Sequence, residues 1–226
     1  MRVGILGTGM VGQAIAAKLA ELGHEATVGT RDPAATLARH EPDGYGNPPF
    51  RVWLAEHPGV KLSSFADATA HGELVVNATA GGASLDALRL AGEANLDGKV
   101  LIDIANALDF SRGMPPSLAV ANTDSLGERI QRAFPATRVV KALNTMNAVL
   151  MVNPRQLADG DHTVFVCGDD PEAKALVTGL LQGFGWRDVI DLGDLTAARA
   201  AEMVLPIWLR LMGTLRTPAF NLKVVR

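Results

Sequence analysis

Residues 2–30 read RVGILGTGMVGQAIAAKLAELGHEATVGT, and this stretch decides the fold. The short apolar run at 2–6 ends in a glycine and is typical of a buried strand. From 10 to 22, apolar residues recur at the three- and four-residue spacing of one helix face, and Gly23 ends the run. Residues 25–29 have the character of a second strand. The stretch therefore predicts a strand, a glycine turn, a helix and a strand in succession.

The glycine turn between the first strand and the helix carries a G-x-G-x-x-G motif at residues 7–12. In such a motif the first glycine permits the tight turn, the second lets a pyrophosphate approach the backbone, and the third lets the helix pack on the strand. The helix N-terminus adds free N–H groups and a partial positive charge. The alternative is that these glycines serve only a tight turn. We expect the dinucleotide to be bound by the whole motif: Gly7, Thr8, Gly9, Met10, Val11 and Gly12.

The end of the second strand indicates which dinucleotide is preferred. NAD-binding sites place an acidic residue there to hold the ribose 2′-hydroxyl, whereas this chain has Gly29-Thr30-Arg31-Asp32. Thr30 offers a hydroxyl donor and Arg31 a planar cation suited to a 2′-phosphate. Asp32 is expected to cap a short helix that begins at Pro33, although it is also a candidate ribose ligand. The pattern favours NADP(H) over NAD.

The rest of the chain alternates between strand-like and helix-like segments. Strands are predicted at 60–63, 73–78, 99–104, 138–142, 162–167 and 188–191, and helices at 65–71, 84–93, 124–134, from 171 onward and at 196–214. This alternation predicts an α/β fold with a mostly parallel, doubly wound Rossmann-type sheet. We expect a dinucleotide-binding domain at 1–158 and a smaller C-terminal α/β region at 159–226 that ends in a long helix.

Two connecting segments break the alternation. The proline-rich segment 31–59 is predicted to be a long excursion with one short helix near 34–39, and 111–121 to be a proline-broken loop. In the helix predicted at 124–134, Thr123 or Asp124 is the candidate cap.

Composition excludes several classes of protein. A net charge of −3 offers no basic surface for nucleic acid or anionic lipid. The single cysteine, Cys167, excludes an intramolecular disulfide and fits a reducing cytosol. No apolar window approaches the length of a membrane span, and the N-terminus lacks a signal-peptide pattern. We expect a soluble cytoplasmic protein with no nucleic-acid or membrane partner.

Candidate polar groups cluster where predicted strands end, which is where open α/β sheets bind ligands. The strongest cluster is Lys141, Asn144 and Thr145. If the protein reduces a carbonyl or imine, Lys141 is the candidate proton donor, but a surface ion pair is the more ordinary interpretation of that lysine. Asp103 and Asn106 are equally compatible with a role in the ligand site and with a role in capping a loop.

Other reactive side chains indicate structure rather than chemistry. Cys167 is expected to be an inert core thiol, and Asp169 and Asp170 a helix cap. The five histidines lack metal-ligand spacing, so no metal site is expected and all are predicted at the surface or in turns: His24, His40, His57, His71 and His162. The helix at 196–214 is apolar on several sides, which predicts burial in the core or in a subunit interface.

Beyond the glycine motif, the chain resembles the NADPH-dependent reductases of the deazaflavin coenzyme F420, the F420H2:NADP oxidoreductases. The resemblance covers most of the chain and is carried by MRVGILGTG at 1–9, LGHE at 22–25, VGTR at 28–31, VCGDD at 166–170 and LTAARAAEMVLPIWLRLM at 195–212. The last two segments are more specific than the glycine motif, which many families share.

The resemblance implies hydride transfer between NADPH and a deazaflavin ring stacked on the nicotinamide. It implies that Thr8 and Met10 lie along the pyrophosphate and that Thr30 and Arg31 hold the 2′-phosphate. The nicotinamide and acceptor side would be lined by residues around 77–80, 104–107 and 144–146, which include Ala78, Thr79, Ala105, Asn106 and Asn144. It further implies that the C-terminal helix closes over the acceptor and that the protein is a homodimer.

The chain departs from the family pattern near the expected acceptor. Thr79-Ala80-Gly81-Gly82 replaces an Ile-Pro dipeptide after the fourth strand, and Asn144 replaces a histidine. The excursion at 31–59, with Tyr45, Phe50 and Trp53, is longer than the family needs. The resemblance therefore supports the NADP(H) cofactor more strongly than the identity of the acceptor.

The leading hypothesis is an NADP(H)-dependent oxidoreductase that passes a hydride between NADPH and coenzyme F420 or a related flavin-like acceptor, with Asn144 and Lys141 as candidate catalytic residues. The alternatives are an NADPH-dependent reductase of a small carbonyl or imine, and a non-catalytic sensor of the NADP redox ratio. A flavin-like acceptor predicts an apolar, ring-sized pocket, a carbonyl substrate predicts a smaller pocket with a positioned donor, and a sensor predicts no second pocket.

Overall fold

A computed structural model describes residues 1–42 and 46–226 of the chain. The strands are β1 Arg2–Leu6, β2 Glu25–Thr30, β3 Val60–Ser64, β4 Leu74–Asn77, β5 Val100–Asp103, β6 Leu108–Asp109, β7 Ser117–Leu118, β8 Arg138–Ala142, β9 Thr163–Gly168 and β10 Asp188–Asp191. The helices are α1 Met10–Glu21, α2 Pro33–Leu37, α3 Phe50–Glu56, α4 Phe65–His71, α5 Ser84–Ala91, α6 Glu93–Leu96, α7 Leu126–Ala133, α8 Ala148–Val152, α9 Pro171–Phe184, α10 Ala198–Met203 and α11 Leu205–Leu215.

The main sheet has eight strands in the order β10-β9-β8-β5-β4-β1-β2-β3. All neighbours are parallel except β8 and β9, which run antiparallel. The chain winds outward in one direction from β1 to β3 and then returns to place β4 on the other side of β1. Open sheets of this kind bind ligands at the carboxyl ends of the strands beside that reversal. The predicted Rossmann-type fold is confirmed.

Apolar side chains cover both faces of the sheet. Val3 and Ile5 of β1 belong to a core with Ile15 of α1, while Leu6 belongs to the opposite core with Phe65 of α4. Since successive strand residues point to opposite faces, one strand supplies both layers. Burial of each such side chain is worth about 1.5–3 kcal/mol, so β1 and the motif that follows it are firmly held.

The predicted C-terminal region continues the same sheet. Gly168 of β9 pairs with Val140 of β8, and β10 pairs with β9. After α11, the last residues run back to β9, where the Thr163 N–H donates to the Leu222 carbonyl oxygen over 2.9 Å. The division into regions 1–158 and 159–226 stays a prediction about folding units.

Several local predictions need correction. The excursion at 31–59 contains α2 as expected but also α3. Helix α3 was not predicted because two prolines directly precede this seven-residue helix, and prolines are typical of loops. Tyr45 lies outside the described residues. Helix α7 is capped by Ser125, whose hydroxyl accepts from the Glu128 N–H, and not by Thr123 or Asp124.

The segment predicted as a loop after residue 110 and the long C-terminal helix also differ in detail. Strand β7 pairs with β6 in a small hairpin. The C-terminal helix is divided into α10 and α11, next to Pro206, after a 3-10 turn at Leu195–Ala197. Within 1–42 and 46–226, none of the helices combines the length and apolar character that crossing a membrane requires.

The prediction that every histidine lies at the surface or in a turn is wrong for His162. Its ring is buried, with Nε2 2.8 Å from the Pro154 carbonyl oxygen and Nδ1 2.8 Å from Asn221 Nδ2. The C-terminal segment that brings Asn221 over this ring is far away in sequence, so no local pattern signals the burial.

Candidate functional site

The glycine motif lies in the turn from β1 to α1, and its geometry fits a bound pyrophosphate. Gly7 has a φ of +120°, which strongly favours glycine. A Cβ atom at Gly9 would meet no other atom within 4 Å, so the space in front of this residue is open. No side chain caps the first N–H groups of α1, which leaves them available to an anion. Gln13 steadies the loop by donating to the Thr8 carbonyl oxygen over 2.8 Å.

The two residues predicted to hold a 2′-phosphate have different surroundings at the end of β2. Thr36 Oγ1 donates to the Asp32 carbonyl oxygen, so the Thr30 hydroxyl, 2.9 Å from Thr36 Oγ1, is the donor in that contact. The Thr30 hydrogen is therefore used within the protein. Arg31 is exposed and has no ion-pair partner in the described part of the chain. Asp32 caps α2 as predicted and accepts from the Ala35 N–H.

The first cavity beside the motif has a volume of about 420 Å³ and lies between the glycine loop and the excursion. It is lined by Thr8, Gly9, Gln13, Thr36, Arg39, His40, Glu41, Pro42, Pro48, Pro49 and Phe50. The exposed side chain of Arg39 forms no ion pair with any described residue. Arg39 and His40 have no local sequence signal for this position, because they follow β2 by more than a helical turn and only the fold of the excursion returns them to the glycine loop.

The second cavity, on the other side of the motif, has a volume of about 620 Å³. It is lined by Gly9, Met10, Val11, Ala78, Thr79, Ala80, Gly81, Gly82, Ala83, Ile104, Ala105, Asn106, Leu108, Phe110, Met146 and Met151. The structure thus brings together Met10, Val11, Ala78, Thr79, Ala105 and Asn106 from the predicted set. It adds Leu108 and Phe110 from the β6 hairpin, for which the sequence analysis makes no site prediction. Among the described residues, the lining contains no ionisable side chain.

Lys141 does not lie in either cavity, and its interpretation as a surface ion pair is wrong. Its side chain has no solvent exposure, and Nζ lies 2.8 Å from Asp103 Oδ2, 2.9 Å from Glu202 Oε1 and 2.5 Å from the Ala105 carbonyl oxygen. Burial lowers the pKa of Lys141, but the two carboxylates outweigh it and hold that pKa above its ordinary value. With three protons and three acceptors, the ammonium group has no donor left for a substrate.

Asn144 is also buried outside the cavities. Its Nδ2 donates to Asn106 Oδ1 and to the Ala201 carbonyl oxygen, both at 3.0 Å, and its own carbonyl oxygen accepts from Asn106 Nδ2 at 2.9 Å. Asn144 therefore contacts a cavity-lining residue but does not itself line the cavity. Thr145 is buried as well, and Met146 is the member of this segment that reaches the cavity.

Cys167 and Asp170 have the structural roles predicted for them, whereas Asp169 does not cap α9. Burial raises the pKa of the Cys167 thiol to about 12, so it is a protonated core side chain. Asp170 caps α9 by accepting from the Ala173 N–H, and Asp169 accepts from the Leu195 N–H.

Comparison with known proteins identifies relatives of this arrangement. The family model described as NADP oxidoreductase coenzyme F420-dependent matches residues 2–107, which include the glycine motif and most of the second cavity. A crystal structure of a candidate F420-dependent NADP reductase from Arthrobacter sp. FB24 is 61% identical, covers 100% of both chains and superposes with a TM-score of 0.97.

Two curated relatives are more distant. The F420-dependent NADP reductase of Methanocaldococcus jannaschii is 30% identical over 145 residues, which is 62% of each protein. The metalloreductase STEAP3 of Rattus norvegicus is 29% identical over 92% of this chain, which spans 38% of that protein. The chain thus covers less than two thirds of either relative.

The likeness to the Arthrobacter protein covers the whole chain, including the segments that the family model does not match. The family model covers the glycine motif. The chain belongs to the family of coenzyme F420-dependent NADP oxidoreductases.

Proposed function

We propose that this protein is an NADP(H)-dependent oxidoreductase that transfers a hydride between NADPH and coenzyme F420 or a related flavin-like acceptor. The observation that carries the proposal is the pair of cavities that meet at Gly9. One has in its wall Arg39, which forms no ion pair with a described residue, and the other is mostly apolar, as the two ends of NADPH require. The names of the relatives agree with this cofactor and acceptor.

The adenosine end belongs in the 420 Å³ cavity. Arg39 in its wall and Arg31, which follows Thr30 at the end of β2, supply positive charge for a 2′-phosphate, and neither is neutralised by a described acidic partner. Glu41 in the same wall carries a negative charge. The 2′-phosphate is therefore expected beside the arginine side chains and not beside Glu41. The open space at Gly9 and the free N–H groups of α1 would hold the pyrophosphate.

The nicotinamide end belongs in the 620 Å³ cavity. NADPH bound there would supply a hydride to the acceptor, whose reduction also takes up one proton. The protein's part is to align two flat rings and keep water from between them, which apolar side chains such as Met10, Ile104 and Met146 can do. A cavity without an ionisable group suits hydride transfer between rings.

The two alternatives receive less support. Reduction of a carbonyl or imine calls for a positioned proton donor, and Lys141, the candidate, is buried with all its protons engaged. A redox sensor calls for a closed nicotinamide face, whereas the second cavity extends past the motif to Phe110 in the β6 hairpin. We therefore retain a flavin-like acceptor.

We also propose that the protein is a cytoplasmic homodimer. Helix α11 is apolar, yet Leu205 is its one buried residue, and Ile207 and Leu215 are about half exposed. Met114 and Pro115 border a further cavity against this helix and extend the apolar surface. A surface of this kind is typical of a subunit interface.

The decisive experiment follows the loss of NADPH absorbance with coenzyme F420, with free flavin and without acceptor. Fast oxidation with the deazaflavin alone would establish the family's activity in this chain despite Thr79 and Asn144. Oxidation with free flavin alone would shift the acceptor to flavin. Tight NADPH binding without turnover on any acceptor would contradict the proposed reaction and favour a sensor.

A further inference from the structure

A layer of buried polar groups lies directly beneath the second cavity. Its centre is the Lys141 ammonium group, between the carboxylates of Asp103 and Glu202. The side chains of Lys141 and Asp103 have zero exposure and that of Glu202 only 3%. The proposed hydride transfer makes no direct use of these groups, and their position calls for a separate explanation.

The layer holds the loops that form the cavity wall. After β5, the Ala105 carbonyl oxygen accepts from Lys141, and the Ala105 N–H donates to Asp103 Oδ1 over 3.2 Å. After β4, Asn77 Nδ2 donates to the same Asp103 oxygen over 2.8 Å, and Thr79 Oγ1 donates to Asn77 Oδ1 over 2.7 Å. Thr79 and Ala105 both line the cavity.

The same layer reaches the C-terminal segment. Glu202 of α10 accepts from Lys141 and from the N–H groups of Leu126 and Gly127 at the start of α7, at 2.9 and 3.1 Å. The Ala201 carbonyl oxygen accepts from Asn144, which is paired with the cavity residue Asn106. Helix α10 lines neither cavity, yet two of its residues bond to the groups that position the wall.

A buried ion pair is a poor source of stability. Taking the charges out of water costs several kcal/mol per ion, and apolar residues of similar volume often serve as well or better. What the pair supplies is geometry, because an ammonium group with three fixed acceptors can take one position only. Two of its acceptors belong to the β5 end and the third to α10.

We propose that Lys141 and Glu202 are positioning residues for the nicotinamide side of the site. Through them, the C-terminal segment fixes the position of the cavity wall beside which the hydride is transferred. The inference rests on the proposed function in one respect, namely that the second cavity receives the nicotinamide. It adds that α10 and this cavity form one mechanical unit. The adenosine side lies outside that unit.

The test separates the two halves of the cofactor. Adenosine 2′,5′-bisphosphate probes the adenosine side alone, and NADPH probes both sides. The variants are Lys141→Met, Glu202→Gln and the control Lys174→Met, which removes a lysine ion pair (2.8 Å to Asp191) that is not part of the layer. Binding is measured by calorimetry, folding by circular dichroism, and kcat and KM with the acceptor that the wild type uses.

We expect both layer variants to bind the bisphosphate within about twofold of wild type, and to lose about tenfold or more in kcat or NADPH affinity, because a small misplacement of reacting groups is costly. Lys174→Met should match the wild type in all measurements. Parallel losses for the bisphosphate and NADPH would show general destabilisation and overturn the proposal, and so would unchanged values for both.

Hydrogen exchange on the unaltered protein gives a result that needs neither a variant nor turnover. If the layer couples the cavity to α10, NADPH should slow exchange at 198–203 and at the Leu126 and Gly127 amides, whereas the bisphosphate should not. Protection confined to the residues that line the cavities would overturn the inference. If NADPH produces this coupling but the protein does not oxidise NADPH with any acceptor, only the proposed function is contradicted.

Discussion

A Cβ atom on Gly12 would lie 2.0 Å from the Gly7 carbonyl oxygen, and a Cβ atom on Gly9 would touch nothing within 4 Å. The three glycines of the motif thus have different reasons to be glycine. Gly12 lets α1 pack against the turn, whereas Gly9 leaves room for a ligand.

Alanine substitutions should separate these two roles. Gly12→Ala forces α1 away from the loop, and we expect a loss of about 1–3 kcal/mol in the free energy of unfolding, measured by urea denaturation, together with weaker NADPH binding. Gly9→Ala should unfold like the wild type because its backbone has an ordinary φ of −76°, yet lose NADPH affinity. If Gly9→Ala binds NADPH normally, the pyrophosphate does not approach this residue.

The 2′-phosphate assignment is tested at Arg31 and Arg39. A charge-assisted hydrogen bond is worth about 1.5–3 kcal/mol, so Arg31→Ala should weaken NADPH binding by about ten- to a hundredfold and leave NADH nearly unchanged. Arg39→Ala should act in the same direction, since Arg39 lines the same cavity wall as Thr36. Both are measured as the ratio of Kd values for NADPH and NADH. Equal losses for the two nucleotides would defeat the assignment.

Phe110 should affect the acceptor and not the cofactor. It is 51% exposed at the edge of the second cavity, where an aromatic face is free to stack on an incoming ring. We expect Phe110→Ala to raise the KM for the acceptor about tenfold, given the value of about 0.5–1.5 kcal/mol for an aromatic contact beyond its area, while the Kd for NADPH stays constant. Leu90→Ala, at a similarly exposed leucine away from both cavities, is the control. A change in NADPH affinity alone would place Phe110 on the cofactor side.

Acid stability should depend on Asp124. Partial burial raises the pKa of this carboxyl, but hydrogen bonds from Arg129 and Arg132 outweigh it and lower the pKa to about 2. Because the folded-state pKa lies below the unfolded value of about 3.9, the stabilisation is present above pH 4 and is lost as the pH falls toward 2. Asp124→Asn should therefore lower the Tm clearly at pH 7 and much less at pH 2, where the carboxyl is partly protonated in the folded protein. An equal difference at both pH values would exclude this carboxylate as the cause.

The exposed apolar surface of α11 should determine the oligomeric state. If it forms the proposed dimer interface, Ile207→Glu should convert a dimer to a monomer in light scattering, because a charge would be buried without a partner. Val225→Glu, at a residue that is 88% exposed, should leave the dimer intact. A wild-type monomer, or an Ile207→Glu dimer, would contradict this interface.

Residues 2–30 were sufficient to predict the strand, turn, helix and second strand, because each element there has its own local period and glycine boundaries. The same locality explains the success with the Asp32 and Asp170 caps. The doubly wound sheet follows from the alternation of strands and helices, which leaves few other arrangements.

The tertiary structure alone decided which polar residues face a cavity. Lys141, Asn144 and Asp103 follow or end strands as a site would require, yet packing against α10 buries all three beneath the cavity. Arg39, Phe110 and Glu202 acquire their positions from segments that fold back over the sheet. Periodicity and caps report contacts within a few residues, whereas burial depends on partners as much as 76 residues away, as with Leu126 and Glu202. The sequence by itself therefore determined the fold and the cofactor motif, and long-range packing decided which side chains reach the ligand.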